Sequence, residues 1–130
     1  MLFQIEFLPD ESAEINEDDC GNYAVRISLR GNLSIENAAE VSLLFRTFAR
    51  GGVLRVIVNM DSLFYIDSTG ISALIRSKKA LVAEGGDIAL VNVPPKINEV
   101  FDLVSLKEYI KCFYDEKKAL EYLDQSVKKR

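Results

Sequence analysis

The sequence predicts an α/β fold: a single mixed, mostly parallel β-sheet that opens with a hairpin and carries about four crossover or flanking helices. Three observations predict it. Apolar residues alternate at period two in Phe3, Ile5 and Phe7, and again in Val25, Ile27 and Leu29. From Ser34 onward, segments of helical period take turns with short β-branched runs, as in successive βα crossovers. Residues 53–58 are almost continuously apolar, which suits a strand buried on both faces and therefore central in its sheet. The 130 residues fit one domain, since single domains cluster at about 100–150 residues. No repeat, linker or low-complexity tract divides the chain, so residues 1–130 read as one unit.

The first strand is expected over residues 2–8. Residues 9–22 follow as a polar loop, long for a hairpin, with Asp10, Glu11, Glu14, Glu17, Asp18 and Asp19 and no basic residue. The second strand covers residues 23–29, and Gly31 and Asn32 are expected to break it. Ile35, Ala38, Ala39, Ser42 and Phe45 then recur at threes and fours, with Ser34 as the expected N-cap and Asn37 where a capping box would place its acid. Gly51 and Gly52 close that helix. After the strand at 53–58, residues 59–66 read as a loop bearing Leu63, Phe64 and Tyr65.

Asp67, Ser68, Thr69 and Gly70 open a second helix, marked by Ile71, Leu74, Ile75, Leu81 and Val82 and closed by Gly85 and Gly86. Residues 87–91 make another strand. Pro94 and Pro95 open a third helix, a position that tolerates proline, with Ile97, Val100, Phe101 and Val104 on one side. Residues 109–113 read as a short edge strand. Asp115 caps a last helix through Ala119, Leu120, Tyr122 and Leu123, and residues 124–130 are expected to fray. The order is β-β-α-β-α-β-α-β-α.

Composition narrows the function. The chain is 48% hydrophobic and 28% charged, with sixteen basic and twenty acidic residues and a net charge of −4. It has no histidine. That removes Ser-His-Asp and Cys-His catalysis, histidine phosphorelay and the usual zinc constellations, so any reactive hydroxyl must find its base in a carboxylate, a lysine or another protein. No metal and no cofactor are expected, and no enzymatic activity of the chain's own. Cys20 and Cys112 lack CxxC spacing and read as incidental thiols. No stretch approaches the roughly 18 apolar residues of a membrane span, and the first residues lack a basic signal-peptide region. The expectation is a cytoplasmic protein without membrane insertion.

Six of the twenty acids lie in residues 9–22, which leaves fourteen acids against sixteen bases elsewhere. The argument against a nucleic-acid partner therefore rests less on charge than on the lack of a recognition motif. Neither glycine pair has the lysine and hydroxyl of a phosphate loop, and both follow helices, so they read as helix ends. Arg76, Lys78 and Lys79 form a small basic stripe that reads first as a solvated face.

Chemistry concentrates at Asp67-Ser68-Thr69-Gly70. These residues follow a central strand, and the carboxyl ends of such strands are where ligands and partners meet an open α/β sheet. A helix N-terminus there offers free N–H groups and the positive end of the dipole, which favour an anion such as a phosphate. Asp, Ser and Thr are also ordinary N-caps, so capping alone accounts for part of the pattern. Phe64 and Tyr65 serve equally well as anchors for a partner or as cover for the sheet.

Asp67-Ser68-Thr69-Gly70-Ile71, preceded by Val56-Ile57-Val58-Asn59-Met60-Asp61, resembles the signature of the STAS domain, and more specifically that of bacterial anti-sigma-factor antagonists. The segment Leu29-Arg30-Gly31-Asn32-Leu33 is similar to that family's strand-Gly-x-Leu, and the resemblance covers residues 23–123 by element order. Ser34 stands where members often carry an acid. The resemblance implies a phosphorylation-switched binding module. Its partner would be an anti-sigma factor that is also a serine kinase of the ATPase-fold type. By that resemblance it would bind the kinase while Ser68 is unphosphorylated and release it afterwards, and a phosphatase would reset Ser68. Thr69 is the second candidate acceptor. Asp67 and Gly70 complete the phosphosite motif, and Asn32, Ser34, Leu63, Phe64, Tyr65 and Ile71 are expected to meet the partner.

Two other readings stand beside this one. A scaffold subunit of a stress-sensing complex or of a lipid-transport machine would use a STAS-like fold without a phosphoswitch. A receiver-like domain phosphorylated on Asp67 would need a clustered acidic pocket and a lysine from a late strand. Asp18 and Asp19 precede their strand, and Lys111 lies within one.

Overall fold

The strands line up in the sheet in the order of the sequence, and only the first pair is antiparallel. The computed structural model describes residues 2–9 and 23–128. The elements are β1 (Leu2–Pro9), β2 (Tyr23–Leu33), α1 (Ala38–Arg50), β3 (Arg55–Ile66), α2 (Ser68–Ala83), β4 (Asp87–Val91), α3 (Pro95–Leu103), a 3-10 turn (Leu106–Glu108), β5 (Lys111–Phe113) and α4 (Glu116–Lys128). This is the mixed α/β architecture expected from the sequence, in the expected order. The acidic stretch 10–22 lies outside the described residues, as do residues 129 and 130.

Each parallel crossover steps one strand further in the same direction, so helices of one hand fall on one face of the sheet. There α1, α2 and α3 bury Val41, Phe45, Leu74, Leu81, Ile97 and Phe101 against Val25, Ile27, Leu29, Val56, Val58, Ile88 and Leu90. α4 follows the edge strand and is free of that constraint. It covers the opposite face, where Ala119 and Leu123 meet Ile57, Ala89 and Val91. Because β4 and the first part of β3 are covered on both sides, residues 56–58 and 88–91 read as continuous apolar runs. Toward β1 and β2 the second face stays open and polar, and there Arg26 bridges Glu6 and Glu116 at 2.9 Å each.

β3 and β5 each begin two residues later than predicted, at Arg55 and Lys111, and four boundaries differ more substantially. β2 does not break at Gly31 and Asn32. It runs on to Leu33, with Gly31 at a φ of 110° that glycine alone adopts without strain. α1 begins at Ala38 with Asn37 at its N-cap position, so Ser34 is not the cap. Ser34 instead opens a turn, its carbonyl accepting the N–H groups of Asn37 and Ala38. Residues 59–66 are not a loop, because β3 continues to Ile66. Finally, α4 stays helical through Lys128, where fraying was expected from residue 124. Asp124 pairs with Arg55 at 3.1 Å, and Ser126 donates to the buried Asp87 at 2.6 Å, which ties this turn to the sheet.

The long β3 positions the candidate site. β4 pairs with it only as far as Asn59, so its last seven residues lean on β2 alone. Three β3 residues span Asn59 to Ser62 while β2 advances two, from Ser28 to Arg30. A second extra residue falls between Leu63 and Tyr65. Each extra residue reverses which side of the strand the next residue faces. The core therefore receives Val56, Val58 and Met60, then Leu63, then Ile66.

Candidate functional site

The β2–β3 ribbon, the turn at 34–37 and the first turn of α2 meet at the carboxyl ends of the parallel strands. Of the three capping residues this segment offers, Asp67 is the N-cap of α2. Its Oδ1 accepts the Gly70 N–H at 2.9 Å. Its Oδ2 accepts the Ile35 N–H at 3.1 Å, across 32 residues of chain. Its own N–H donates to the Leu33 carbonyl at 3.2 Å. One carboxylate thus caps the helix and fastens it to the β2–α1 turn. Asn37 stiffens that turn: its Oδ1 accepts the Ser34 N–H at 2.9 Å and its amide donates to the Asn32 carbonyl at 2.6 Å.

Gly70 is required by space rather than by backbone angle. A Cβ built there would stand 2.4 Å from the Leu33 carbonyl oxygen and 2.9 Å from both Leu33 Cγ and Ile66 Cγ1. The missing side chain lets α2 start directly against the ends of β2 and β3. Ser68, the first residue of α2, is exposed beside this contact, while Thr69 is half-buried. The hydroxyl of Ser68 therefore sits at the positive end of a 16-residue helix, open to solvent.

The structure separates the expected contact residues into three groups, exposed, half-buried and buried. Phe64 is 73% exposed and Tyr65 54%, so neither covers the sheet. Asn32 is also exposed and pairs with Tyr65 in the register. Ser34 and Ile71 are half-buried, and Ile71 packs against the core. Leu63 departs from the expectation: it is 1% exposed and belongs to the core, because the extra residue before it turns it inward. Ile35, which helical spacing placed on a buried face, is 74% exposed and tethered to Asp67 through its N–H. It is a site residue that sequence reasoning missed. The signal in the sequence was Asn37, whose side chain bonds the Ser34 N–H and the Asn32 carbonyl and so fixes a turn ahead of α1.

The supposed basic stripe is not uniformly solvated. Lys78 donates to Asp87 at 2.6 Å, near the far end of α2. Asp87 also accepts from the Ile88 N–H, the Tyr122 hydroxyl and Ser126 Oγ. Burial pushes its pKa upward, but these donors, led by Lys78, outweigh burial and hold the carboxyl below its ordinary value. Burial pushes the Cys112 thiol up, away from the reactive thiolate form. Cys20 lies outside the described residues.

The carboxyl end of this α/β sheet thus carries an exposed serine on the first turn of a capped helix. A family model for the STAS domain matches residues 13–119, and the chain belongs to that family. It is 28% identical over 94 residues to an anti-sigma-B factor antagonist of Staphylococcus epidermidis, covering 72% of this chain and 83% of that protein. The fold matches the unphosphorylated anti-sigma factor antagonist SpoIIAA with a TM-score of 0.63 and 22% identity, over 95% of this chain and 98% of that one. It also matches a sulfate transporter family protein from Wolinella succinogenes, with a TM-score of 0.68 and 18% identity over 81% and 88% of the two chains. No helix among the described residues is long and apolar enough to cross a membrane.

Proposed function

We propose that this chain is an anti-sigma factor antagonist whose binding is switched by phosphorylation of Ser68. The observation that carries the reading is the exposed Ser68 hydroxyl on the first turn of α2, beside a carboxylate already committed to two backbone N–H groups. The same commitment disfavours Asp67 itself as the acceptor.

Transfer moves the γ-phosphoryl group of ATP to Ser68 Oγ, and ADP leaves. The serine proton goes to a base in the kinase, since this chain has no histidine to take it. The partner is an anti-sigma factor that is a serine kinase of the ATPase-fold type, and a phosphatase restores the hydroxyl. Phosphate adds about −1.5 to −2 charge at neutral pH. The helix dipole and amides tolerate it, favouring it by about 0.3–1 kcal/mol. A partner seated on Ile35, Phe64 and Tyr65 would instead have to bury a dianion next to Asp67, so binding weakens while the fold stays intact. Thr69, half-buried, is the poorer acceptor. The cytoplasm is where such a kinase and its sigma factor would meet this chain.

Incubation with ATP and an anti-sigma factor kinase shown to bind the chain, followed by mass spectrometry, is expected to place phosphate on Ser68. By calorimetry, Ser68→Ala should retain kinase affinity and Ser68→Glu should lose about tenfold or more. Phosphate elsewhere, or equal affinities for the two variants, overturns the proposal. The scaffold reading predicts an assembly whose size does not change with the state of Ser68, which light scattering after size exclusion separates from the switch.

A further inference from the structure

The outer edge of β1 is unpaired among the described residues, and two large apolar side chains stand exposed on it, Ile5 at 42% and Phe7 at 64%. Natural edge strands are commonly blunted by lysine, proline or bulges. Here β1 has no lysine, its one proline is its last residue, Pro9, and it pairs with β2 in unbroken register. Residues 2–8 read Leu-Phe-Gln-Ile-Glu-Phe-Leu, which is a palindrome about Ile5 apart from the change of Gln4 for Glu6.

We propose that β1 pairs antiparallel with β1 of a second copy, about a two-fold axis through Ile5, to join two sheets into one. In that register Ile5 faces Ile5, Phe3 faces Phe7, and Leu2 faces Leu8. Gln4 faces Glu6, so an amide meets each carboxylate. An axis at Glu6 would set two carboxylates against each other, which is destabilising. An axis between residues would place the helix-covered face of one sheet beside the open face of the other. About Ile5, Phe3, Ile5 and Phe7 of both copies form a single apolar stripe on the helix side, where α1 leaves Ile5 and Phe7 uncovered. The parallel strands of the two copies then run in opposite directions, so their Ser68 sites face opposite ends of the pair and both stay free.

A single strand pair falls in the transient class of interface, below about 1,200 Å². Sedimentation velocity on the full chain from about 10 μM to 1 mM, where contacts of this class associate, is expected to show a monomer–dimer equilibrium. Ile5→Lys sets two ammonium groups on the axis and should weaken dimerisation by about tenfold or more. Ile5 is exposed, so the melting curve should stay as in the wild type, and this separates lost pairing from lost folding. Register is read by disulfide trapping with Cys20 and Cys112 replaced by serine, since opposed strand residues lie within disulfide reach. Ile5→Cys should cross-link to itself. Phe3→Cys and Phe7→Cys should cross-link when mixed but not alone. A monomer at every concentration, a dimer unaffected by Ile5→Lys, or self-cross-linking of Phe3→Cys equal to that of Ile5→Cys overturns the proposal.

Discussion

Gly70 sets two effects of known size against each other. Alanine gains about 1 kcal/mol over glycine inside a helix. Here its Cβ would meet the Leu33 carbonyl at 2.4 Å, and backbone cannot yield as a flexible side chain does. Overpacking costs about 1–3 kcal/mol, so Gly70→Ala should be net destabilising in urea melts and should displace the first turn of α2. Asp67→Ala removes a cap worth about 1 kcal/mol and a second bond of similar size to Ile35. Asp67→Asn keeps an oxygen for the Gly70 N–H but turns a donor toward the Ile35 N–H, so it should cost less than alanine. The cap was legible in the sequence because capping is local. The bond to Ile35 was not, since it joins residues 32 apart that only the β2–β3 pairing brings together.

Elements were legible where period and burial agree. β4 and α2 keep one pattern throughout and end where predicted. β3 has two extra residues that twice reverse its period, so its second half reads as a loop. α4 was read too short because its last turn is held by polar bonds to residues far away in sequence. That difference is testable. Stopping the chain after Leu123 removes the Asp124–Arg55 pair and the Ser126 bond to Asp87. A hydrogen bond to a buried charge is worth about 1.5–3 kcal/mol, so this truncation should cost about 2 kcal/mol in urea melts. Asp87 also makes the contact pH-dependent. Its pKa in the fold lies below the ordinary value of 3.8, so its contribution is complete above that value and is lost as pH falls through the folded pKa. Asp87→Asn should be less stable than wild type at neutral pH and should lose less on acidification below about pH 4, by urea midpoints across the range.

At the scale of the molecule, the candidate switch sits at one end of a helix that is locked at both ends. Asp67 and Gly70 fix the start of α2 to β2 and β3, and Lys78 joins its later turns to Asp87 and so to β4 and α4. A charge added at Ser68 meets solvent and a helix N-terminus, with no packed contact to disrupt. Local electrostatics then favour the charge by about 0.3–1 kcal/mol. For a domain of this size 1 kcal/mol corresponds to about 4 °C in melting temperature. Ser68→Glu should therefore melt between about 0 and 4 °C above wild type, with unchanged circular dichroism, while its affinity for the kinase falls. The sign of the melting shift distinguishes two ways of releasing a partner. If the negative charge acts at the bound surface, stability holds or rises as affinity drops. If it acts by loosening the start of α2, the melting temperature falls with the affinity, and the two losses should be matched by Gly70→Ala, which loosens the same turn without adding charge. Comparing the two variants side by side therefore decides whether the switch lies in the charge or in the fold.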